Sequence, residues 1–575
     1  MSIYRGQHGT GRLYSSVVSC SAFLTTEIVG NVEIANSTWA DNDCAWPGMV
    51  LSGDSLVTCI RNVSFVRNIG AGLITQYSTA VTSLSSLSFH SNSNPRTLDP
   101  PCLHLYPKAP TAISLVNSSF SLNSGGAAVT ALVQNTSNLT IDGIHVTGHI
   151  GKYAGAGVII APLTTGSSQV TILRSEFRNC TSQNYGVIAL HDYSGVLSGN
   201  TVAVVRVAIV DCVFEGVETV AQGAGLTVNN YVQITADSVV LRCSFRNCRS
   251  QRGGAIYLSY QTGVVNITAS TFDNCSAPEG GAAVFAHQYP QTILPTYVLL
   301  LNSTITNSQQ GSAVYISGYD GSIINVTGKG NLFQGNLNSA YWVNGGALVD
   351  DGSVYIENSN IDGGCFILKS SILTGTNIRA MSNSASGFGG CVFLTSSSTL
   401  NLTRCTLNYN RAGVIGGVIY ADQASTVSLR WVDAVGNWAG SRAAVAYFFT
   451  GTLRVTLSGF AMNSAGEFGG FELTQASASF RNSTMNGNTA GRHTPGLLLT
   501  DTILTLSDCT FSNQTGQSGV FIESQSNSNV TITRCLFQRG RSSGQGGAIF
   551  AGLNSALVVL DSRIEDCSSQ SDGGE

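Results

Sequence analysis

The sequence predicts an all-β protein: a right-handed single-stranded parallel β-helix of roughly 20 coils with about 26 residues each. Three observations lead to this prediction. A large apolar residue recurs along the whole chain, a pair of glycines often follows it eight or nine residues later, and no stretch shows helical periodicity. The composition agrees, because Val, Ile, Thr, Ser and 64 glycines are abundant while only 10% of the residues are charged.

The recurring large apolar residue, which we call the anchor, is expected to point into the core. An apolar pair stands seven and five positions before it, and Asn or Cys often stands three positions after it. The alternating pair places two side chains on one face of a pleated strand. We expect the anchors to form one buried ladder: Trp39, Phe65, Phe89, Phe120, Val146, Phe177, Phe214, Phe245, Phe272, Ile305, Phe333, Ile361, Ile378, Leu407, Ala434, Phe460, Met485, Phe511, Phe537 and Ile564.

The spacing of the anchors predicts where the coils are regular. From Leu407 onwards the anchors lie 25 to 27 residues apart, whereas upstream the spacing varies from 24 to 37, which indicates loop insertions. The step from Ile361 to Ile378 is only 17 residues and predicts a shortened coil. Recognition loops, if the protein has them, are expected in the longer coils between Phe89 and Phe245 and near 289–295.

The coils are expected to stack because each repeat must bury its apolar face. A single repeat cannot bury its apolar face, so the next repeat must stack on it, strand over strand. The same element order in every repeat makes the pairing parallel, and crossovers between parallel strands are right-handed. The glycine pairs are expected at tight turns with no room for a Cβ. We expect residues 1–31 to form an N-terminal edge or partial coil. Residues 32–575 are expected to form one continuous β-helix that is truncated at its C-terminal end and belongs to a larger polypeptide.

Two short motifs recur at a fixed offset over nearly the whole chain. One is Gly-Gly-Ala followed by an aliphatic residue, and the other is Phe-x-x-Asn. Together they resemble the repeat of the chlamydial polymorphic outer-membrane proteins, and similar repeats occur in large surface proteins of other microbes. The resemblance implies a cell-surface β-helix, adhesive in the better-understood members. Its clearest instances here are Gly253 to Ile256, Gly345 to Leu348, Gly546 to Ile549, Phe65 to Asn68, Phe89 to Asn92, Phe120 to Asn123, Phe333 to Asn336 and Phe460 to Asn463.

These observations predict a non-catalytic extracellular or cell-surface stalk, adhesin-like, that presents loops and glycans and binds a protein or carbohydrate ligand. A formal net charge of −4 gives no reason to expect nucleic acid as a partner. No apolar run approaches the roughly 18 residues of a membrane-spanning helix, so we expect no membrane-spanning segment in this chain. The alternative is a polysaccharide lyase or glycoside hydrolase, since pectin-degrading enzymes use the same pectin-lyase-like fold.

Catalysis on that fold requires clustered acidic groups, or a calcium site with a basic residue, on one face. Asp350 and Asp351 are adjacent carboxylates but stand in a sequence typical of a turn. His191 and Asp192 could orient a base, and also fall in a predicted loop. The His-x-x-x-His pair of His145 and His149 would not converge on a strand. We therefore expect no catalytic residue, no cofactor and no metal site.

Fourteen Asn-x-Ser/Thr sequences occur. Eight of their asparagines fall on two predicted corner positions, three residues before or two residues after the anchor. In a secretory protein these would be accessible glycan acceptors, while the alternative is that they are ordinary turn asparagines. The eight candidate glycosylation sites are Asn36, Asn62, Asn117, Asn179, Asn274, Asn302, Asn482 and Asn513.

Cysteines and charges also follow the repeat. Neighbouring coils are expected to stack Cys212 on Cys243, Cys248 on Cys275, and Cys509 on Cys535. The coil spacing of about 4.8 Å lies within the Cα range for a disulfide, but parallel Cβ vectors fit that bond poorly. The sequence therefore leaves two alternatives for these cysteines, buried ladders of free thiols or disulfides. Opposite charges alternate three residues before the anchor, which we interpret as avoidance of like-charge stacking: Arg174, Asp211 and Arg242, then Asp508, Arg534 and Asp561.

Overall fold

The structure, a computed structural model, confirms an all-β, right-handed parallel β-solenoid. Every regular element in the described residues is a strand, and all their pairings are parallel. The chain divides into two units, Met1–Thr304 with Ser308–Tyr315, and Ile305–Asn307 with Ile316–Glu575. The described residues are 11–14, 17–18, 24–41, 49–69, 73–77, 81–93, 102–107, 112–133, 137–151, 155–162, 167–191, 203–229, 232–234, 238–259, 263–288, 296–318 and 324–571.

A complete coil contains four strands, which we name a, b, c and d in chain order. Strand b carries the anchor, strand a precedes it, strand c is a two-residue strand after it, and strand d follows the glycine pair. Within each unit a strand pairs in register with the same strand of the next coil. This repeated pairing satisfies the backbone groups and stacks equivalent side chains.

The first unit contains the following strands in chain order. Leu24–Ala40 and Met49–Val66 each continue from one face of the coil to the next, and Val232–Ile234 extends an a strand. The bounds are Gly11–Tyr14, Val17–Val18, Leu24–Ala40, Met49–Val66, Leu73–Tyr77, Val81–Ser85, Ser88–His90, Leu103–Pro107, Ala112–Val116, Ser119–Ser121, Ser124–Gly125, Val129–Val133, Asn138–Asp142, His145–Thr147, Ile150–Gly151, Val158–Pro162, Ser167–Leu173, Glu176–Arg178, Thr181–Ser182, Ile188–Leu190, Ala203–Val210, Val213–Glu215, Glu218–Thr219, Leu226–Val228, Val232–Ile234, Val239–Leu241, Ser244–Arg246, Ile256–Ser259, Val264–Thr268, Thr271–Asp273, Val284–Gln288 and Thr296–Leu301.

Thr304–Thr306 and Val314–Gly318 fall where the chain passes between the two units. In the second unit, Ala446–Thr456 and Phe471–Arg481 each combine a d strand with the a strand that follows it. The bounds there are Ile324–Lys329, Leu332–Gln334, Tyr341–Asn344, Ala347–Asp351, Val354–Ile356, Ser359–Asn360, Phe366–Lys369, Ile372–Thr376, Arg379–Met381, Ser384–Ala385, Val392–Thr395, Thr399–Thr403, Thr406–Asn408, Arg411–Ala412, Ile419–Ala421, Ser425–Arg430, Asp433–Val435, Trp438–Ala439, Ala446–Thr456, Gly459–Ala461, Ser464–Ala465, Phe471–Arg481, Thr484–Asn486, Thr489–Ala490, Leu497–Thr500, Ile503–Ser507, Thr510–Ser512, Thr515–Gly516, Ile522–Ser526, Asn529–Thr533, Leu536–Gln538, Arg541–Ser542, Ile549–Leu553, Ala556–Leu560, Arg563–Glu565 and Ser568–Ser569.

Two left-handed residues enclose each b strand and turn the chain. In the coil of Phe245 these are Arg242, with φ of 50°, and Asn247, with φ of 53°. The same two positions, three before and two after the anchor, have positive φ in the coils of Phe65 and Phe511 as well. Asn, Asp and Gly tolerate this conformation best, which explains why polar residues recur at both corners.

The predicted core residues lie inside the coils. In the first unit Phe214, Phe245 and Phe272 are buried and stacked, with ring centroids 4.5 and 4.8 Å apart. In the second unit Phe511 and Phe537 stack at 5.1 Å. The named ladder residues, all buried, are Trp39, Phe65, Phe120, Phe177, Phe214, Phe245, Phe272, Phe333, Phe460, Phe511 and Phe537.

Two predicted anchors were wrong, and a third, Ile564, pairs in register with Phe537 but is 49% exposed. Ile361 is 71% exposed, and the register places Tyr355 beneath Phe333 in the ladder. Ala380, two residues after Ile378, is the next member. The steps are then 22 and 25 residues, so the predicted 17-residue coil does not exist, and the shortened coil lies between Phe333 and Tyr355 instead. Tyr355 carries a hydroxyl that an apolar core alone would leave unpaired, and in the structure this hydroxyl donates to the buried carboxylate of Asp350.

The Asn of Phe-x-x-Asn forms a buried hydrogen-bonded ladder. The side-chain amide of Asn410 donates to the carbonyl of Ala380 at 3.1 Å and to Oδ1 of Asn437 at 3.1 Å. The backbone N–H of Asn410 donates to the same Oδ1 at 2.8 Å. Each Asn therefore satisfies groups on two neighbouring coils, in a core where an unpaired polar group is costly. In the second unit the ladder contains Asn336, Asn358, Asn383, Asn410, Asn437, Asn463 and Asn488.

The glycine pairs sit at tight turns, as predicted. Gly416 has φ of 72°, a conformation that favours glycine, and a Cβ there would lie 2.4 Å from the carbonyl oxygen of Ile419. A Cβ on Gly417 would lie 2.3 Å from the carbonyl oxygen of Ala444 in the next coil. The first glycine is thus required by its own conformation and the second by close approach of the adjacent coil.

Candidate functional site

Asp350 and Asp351 cannot act together, because they point to opposite faces of one strand. Both belong to the strand Ala347–Asp351 rather than to a turn, which corrects the expectation from sequence. Asp350 points into the core and is fully buried, while Asp351 points outward and accepts a hydrogen bond from Asn377 at 3.0 Å. No paired-carboxylate chemistry is available from this arrangement.

The buried carboxyl of Asp350 is part of a polar island inside the coil. It accepts hydrogen bonds from Ser353 Oγ at 2.5 Å and from Tyr355 Oη at 2.6 Å. Gly328 and Gly375 occupy the equivalent positions above and below it, and a Cβ on Gly328 would lie 2.5 Å from its Oδ1. Burial raises the pKa of Asp350, although both hydrogen bonds oppose the shift. Its place in the core gives it a structural role and no access to a ligand.

The two histidine pairs considered from the sequence show no site among the described residues. His191 contacts the ring of Tyr185 and lies 3.2 Å from the side-chain amide of Asn229, while Asp192 lies outside the described residues. His145 is exposed on a b strand, whereas His149 is fully buried and hydrogen-bonded to a backbone carbonyl. Burial lowers the pKa of His149 to about 4. Within the described part of the chain, no three His, Cys, Asp or Glu side chains are placed to hold a metal ion.

The eight candidate glycan acceptors all occupy left-handed corner positions, with φ between 47° and 54°. Seven are exposed, and Asn274 is half-buried, donating to Asn247 Oδ1 at 2.7 Å. Asn62 likewise donates to Asn36 at 3.1 Å across one coil. The backbone conformation explains why Asn occurs there, and their use as acceptors stays a prediction.

The corner charges form ion pairs that reach back by one coil. Arg242 binds Asp211 and Arg534 binds Asp508, each through two parallel hydrogen bonds. Arg174 pairs with Asp142 rather than with Asp211. Opposite charges therefore stack as expected. All of these pairs lie at the surface, where they set local side-chain geometry rather than a binding site.

The predicted cysteine stacks are present as free thiols. The hydrogen bond between Cys509 and Cys535 raises the pKa of Cys509 and lowers that of Cys535 to about 7. Cys365 and Cys391, each between a glycine pair and the d strand that follows it, form a further buried stack that the anchor pattern did not indicate. Beside the serines of the same column, cysteine acts as a small core residue: the N–H of Cys243 donates to Ser270 Oγ at 3.2 Å.

A surface that the sequence analysis missed lies on two successive coils of the second unit. The guanidinium of Arg404 lies 5.2 Å from the ring of Trp431, and that of Arg430 lies 4.0 Å from the same ring. On the c strands of the same two coils, the guanidinium of Arg411 lies 4.9 Å from the ring of Trp438. We call these five residues the arginine–tryptophan surface. Each inter-coil pair is 27 residues apart in sequence, so an Arg followed by Trp one repeat later was the available signal.

The side chains of this surface are open to solvent. Trp431 and Trp438 are each 37% exposed, and neighbouring Tyr409 is 59% exposed with its ring over Gly436. The three arginines are exposed, and none of them has an ion-pair partner in the fully described segment 324–571. Unpaired guanidiniums beside exposed aromatic rings are typical of binding surfaces.

A second missed cluster lies on the outer face of the d strands. Arg442 binds the buried carboxylate of Glu472, with Nε 3.0 Å from Oε2, and stands over the rings of Tyr447 and Phe468. Burial raises the pKa of Glu472, although Arg442 opposes this. Burial would lower the pKa of Arg442, but Glu472 raises it overall.

The same cluster continues to the next coils. His493 stacks on Phe468 at 4.5 Å and places Nδ1 3.3 Å from Oε1 of buried Glu523. Ser518 donates to the other carboxylate oxygen at 2.6 Å. We call Arg442, Phe468, Glu472, His493 and Glu523 the arginine–glutamate cluster. Both of its carboxylates are already engaged by neighbouring side chains, so the cluster primarily compensates buried charge.

The predicted recognition loops are only partly described. Residues 289–295 lie outside the described residues, as do 94–101, 163–166 and 192–202 in the longer coils. In those coils the described strands keep the regular register, for example between Phe177 and Phe214, which are 37 residues apart. The insertions therefore leave the ladder intact.

The comparison with protein families agrees with the fold over part of the chain. A family model described as a right-handed beta helix region matches residues 469–573. The chain is also similar to a solved structure of the PL6 family alginate lyase AlyGC, with 10% identity, coverage of 94% of this chain and 96% of that chain, and a TM-score of 0.19. A likeness this distant carries no argument about activity. No curated protein sequence matches the chain. Among the described residues, no helix is long and apolar enough to cross a membrane.

Proposed function

We propose that the protein is a non-catalytic, extracellular β-helix that binds a carbohydrate or protein ligand at a surface through its lateral face. Its repeat, which resembles that of the chlamydial polymorphic outer-membrane proteins, and the exposed corner asparagines both support a surface location. Neither feature depends on a cofactor or a metal.

The arginine–tryptophan surface is the observation that carries this proposal. Trp431, Trp438 and Tyr409 expose large aromatic area on two consecutive coils. Leu457 and Met462 continue the same corner columns into the next coil and are 41% and 63% exposed. Trp438 stands on a strand and the other side chains stand at the corners between paired strands, so the stacked coils fix their spacing and ligand binding would cost little conformational entropy. Aromatic and Arg residues are the types that contribute most to binding energy at such surfaces.

A second candidate function, a polysaccharide lyase or glycoside hydrolase, would use the arginine–glutamate cluster. One observation favours it: the buried carboxylate of Glu523 orients the ring of His493, as a carboxylate orients a catalytic base. Two observations oppose this function. Glu472 is bound by Arg442, and Glu472 and Glu523 are two coils apart, with Leu498 at the position between them. Ligand binding without catalysis therefore accounts better for the exposed arginine and aromatic side chains.

A single experiment separates the two. Affinity electrophoresis of the full chain in gels containing neutral or acidic polysaccharides should show retardation in at least one gel. Trp431→Ala and Trp438→Ala should each weaken this retardation. Incubation of the same polymers with the protein should release neither reducing ends nor unsaturated sugars. Turnover that disappears in His493→Ala would establish the enzyme instead, and absence of retardation in every gel would refute carbohydrate binding.

Localisation is tested in the cells that produce the protein. A membrane-impermeant amine label applied to intact cells should modify the full-length polypeptide. A cytosolic protein of the same cells serves as the control. Labelling only after lysis would contradict the surface proposal.

A further inference from the structure

We infer that the ligand of the arginine–tryptophan surface is an acidic polysaccharide, a polymer that carries carboxylate or sulfate groups along its length. This inference rests on the proposed binding function and narrows it to one chemical class. It depends on three features of the surface: charge, orientation of the guanidiniums, and spacing.

The surface has a local excess of positive charge in a chain whose formal net charge is −4. Arg404, Arg411 and Arg430 are exposed and have no ion-pair partner within 324–571. One exposed carboxylate, Asp433, stands on the b strand between Trp431 and Trp438. By contrast, the corner arginines Arg174, Arg242 and Arg534 are each neutralised by a carboxylate of the preceding coil. The arginines of this surface are therefore available for an external anion.

The indole rings fix the direction of the guanidiniums. Trp431 contacts two of them, Arg404 at 5.2 Å and Arg430 at 4.0 Å, and Trp438 contacts Arg411 at 4.9 Å. A guanidinium lying against a ring keeps its N–H edge free to bind a carboxylate or sulfate through two parallel hydrogen bonds. Because the ring holds the long side chain in place, less rotamer entropy is lost when the anion binds.

The coil spacing sets the distance between two of the three arginine positions. Arg404 and Arg430 belong to consecutive coils, which stack at about 4.8 Å, and Arg411 lies on the c strand of the same coil as Arg404. A linear polymer with an anionic group on each repeating unit matches such an array better than a single small anion does. Multiple weak contacts along one chain then add to a useful affinity.

The test measures binding of the full chain to polygalacturonate and to a neutral glucan of matched length, at low and high salt. We expect binding to polygalacturonate that weakens as salt increases. The triple variant Arg404→Gln/Arg411→Gln/Arg430→Gln should lose roughly tenfold or more in affinity, since three charge-assisted contacts are removed. The matched control Arg539→Gln/Arg541→Gln/Arg563→Gln changes the same charge elsewhere in the unit and should bind as the wild type does. Circular dichroism verifies that both variants are folded.

Each alternative outcome has a definite meaning. If the neutral glucan binds as tightly and only Trp431→Ala and Trp438→Ala weaken it, the acidic class is wrong while the proposed binding function stands. Tighter binding to single-stranded DNA than to polygalacturonate would also overturn the inference, because a different polyanion would then be preferred. If neither polysaccharide binds at either salt concentration, the inference and carbohydrate binding fail together.

Discussion

At the scale of single residues, the most unusual feature is a carboxyl group inside an apolar solenoid. Asp350 lies between two glycines of adjacent coils and holds the hydroxyls of Ser353 and Tyr355. The hydroxyl of Tyr341, fully buried in the same unit, has no hydrogen-bond partner in that described segment. The hydroxyls of Ser353 and Tyr355 thus have a hydrogen-bond acceptor inside the core, but this acceptor is an ionisable carboxyl whose burial costs free energy.

Asp350 should make the stability of the protein depend on pH. Folding raises the pKa of this carboxyl, so the folded state holds its proton more tightly than the unfolded state does. The contribution to stability is fully present below the unfolded pKa and is lost as the pH rises through the folded pKa. Asp350→Asn keeps the shape without the charge and should melt at a higher temperature than the wild type at neutral pH, with a smaller difference in acid.

The measurement is the difference in melting temperature between Asp350→Asn and wild type across a pH series. Asp351→Asn, which changes the outward-facing neighbour, is the control. A pH-independent difference for Asp350→Asn would show that the carboxyl does not titrate with folding.

The exposed corner asparagines carry a prediction of the same scale. If the chain passes through a secretory pathway that attaches N-linked glycans, Asn482 should be modified, because it is exposed and has the required sequence. Mass spectrometry after enzymatic removal of glycans should find Asp at this position. Asn410, a buried asparagine without the sequence requirement, serves as the comparison and should stay unmodified.

At the scale of elements, each motif of the repeat has a distinct physical role. The anchor fills the core, the Asn three residues later bonds two neighbouring coils, and the glycine pair lets one coil approach the next. In each coil the Phe of Phe-x-x-Asn thus contributes to the apolar ladder and its Asn contributes to the hydrogen-bonded ladder. The sequence shows the spacing of these residues, but the ladder of bonds follows only from stacking.

Asn410→Ala should destabilise the second unit by about 2–4 kcal/mol, because the carbonyl of Ala380 loses a donor and Asn383 loses an acceptor for two N–H groups. Chemical denaturation followed by circular dichroism gives the change in unfolding free energy. Thr406→Ala, on the outward face of the neighbouring strand, should change it by less than roughly 0.5 kcal/mol. Equal effects of the two substitutions would contradict a stabilising role for the ladder.

At the scale of the whole molecule, a repeat protein responds to damage locally, because each coil contacts mainly its neighbours. The first unit illustrates this: Phe245 packs between Phe214 and Phe272 of the two neighbouring coils, and a Cβ on Gly225 would lie 2.7 Å from its ring.

Phe245→Ala should therefore open only part of the first unit. Loss of a buried aromatic ring costs about 3–5 kcal/mol, and the cost should appear as faster amide hydrogen exchange in residues 203–288. Residues 112–151 of the same unit should exchange at the wild-type rate. Thr271→Ala, an exposed substitution on an adjacent b strand, is the control. Uniform acceleration across the unit would indicate a single cooperative block instead.

The sequence by itself determined the class of fold, most of the anchors and the glycine turns, because these depend on a periodic pattern of burial that is written locally in every repeat. Where the anchor was polar, as at Tyr355, the pattern failed, since its acceptor Asp350 could be recognised as buried only after the coils were stacked. The arginine–tryptophan surface and the arginine–glutamate cluster were likewise decided by tertiary structure. Residues about one repeat apart meet only through the register of neighbouring coils, and that register is set by the summed packing of all their strands.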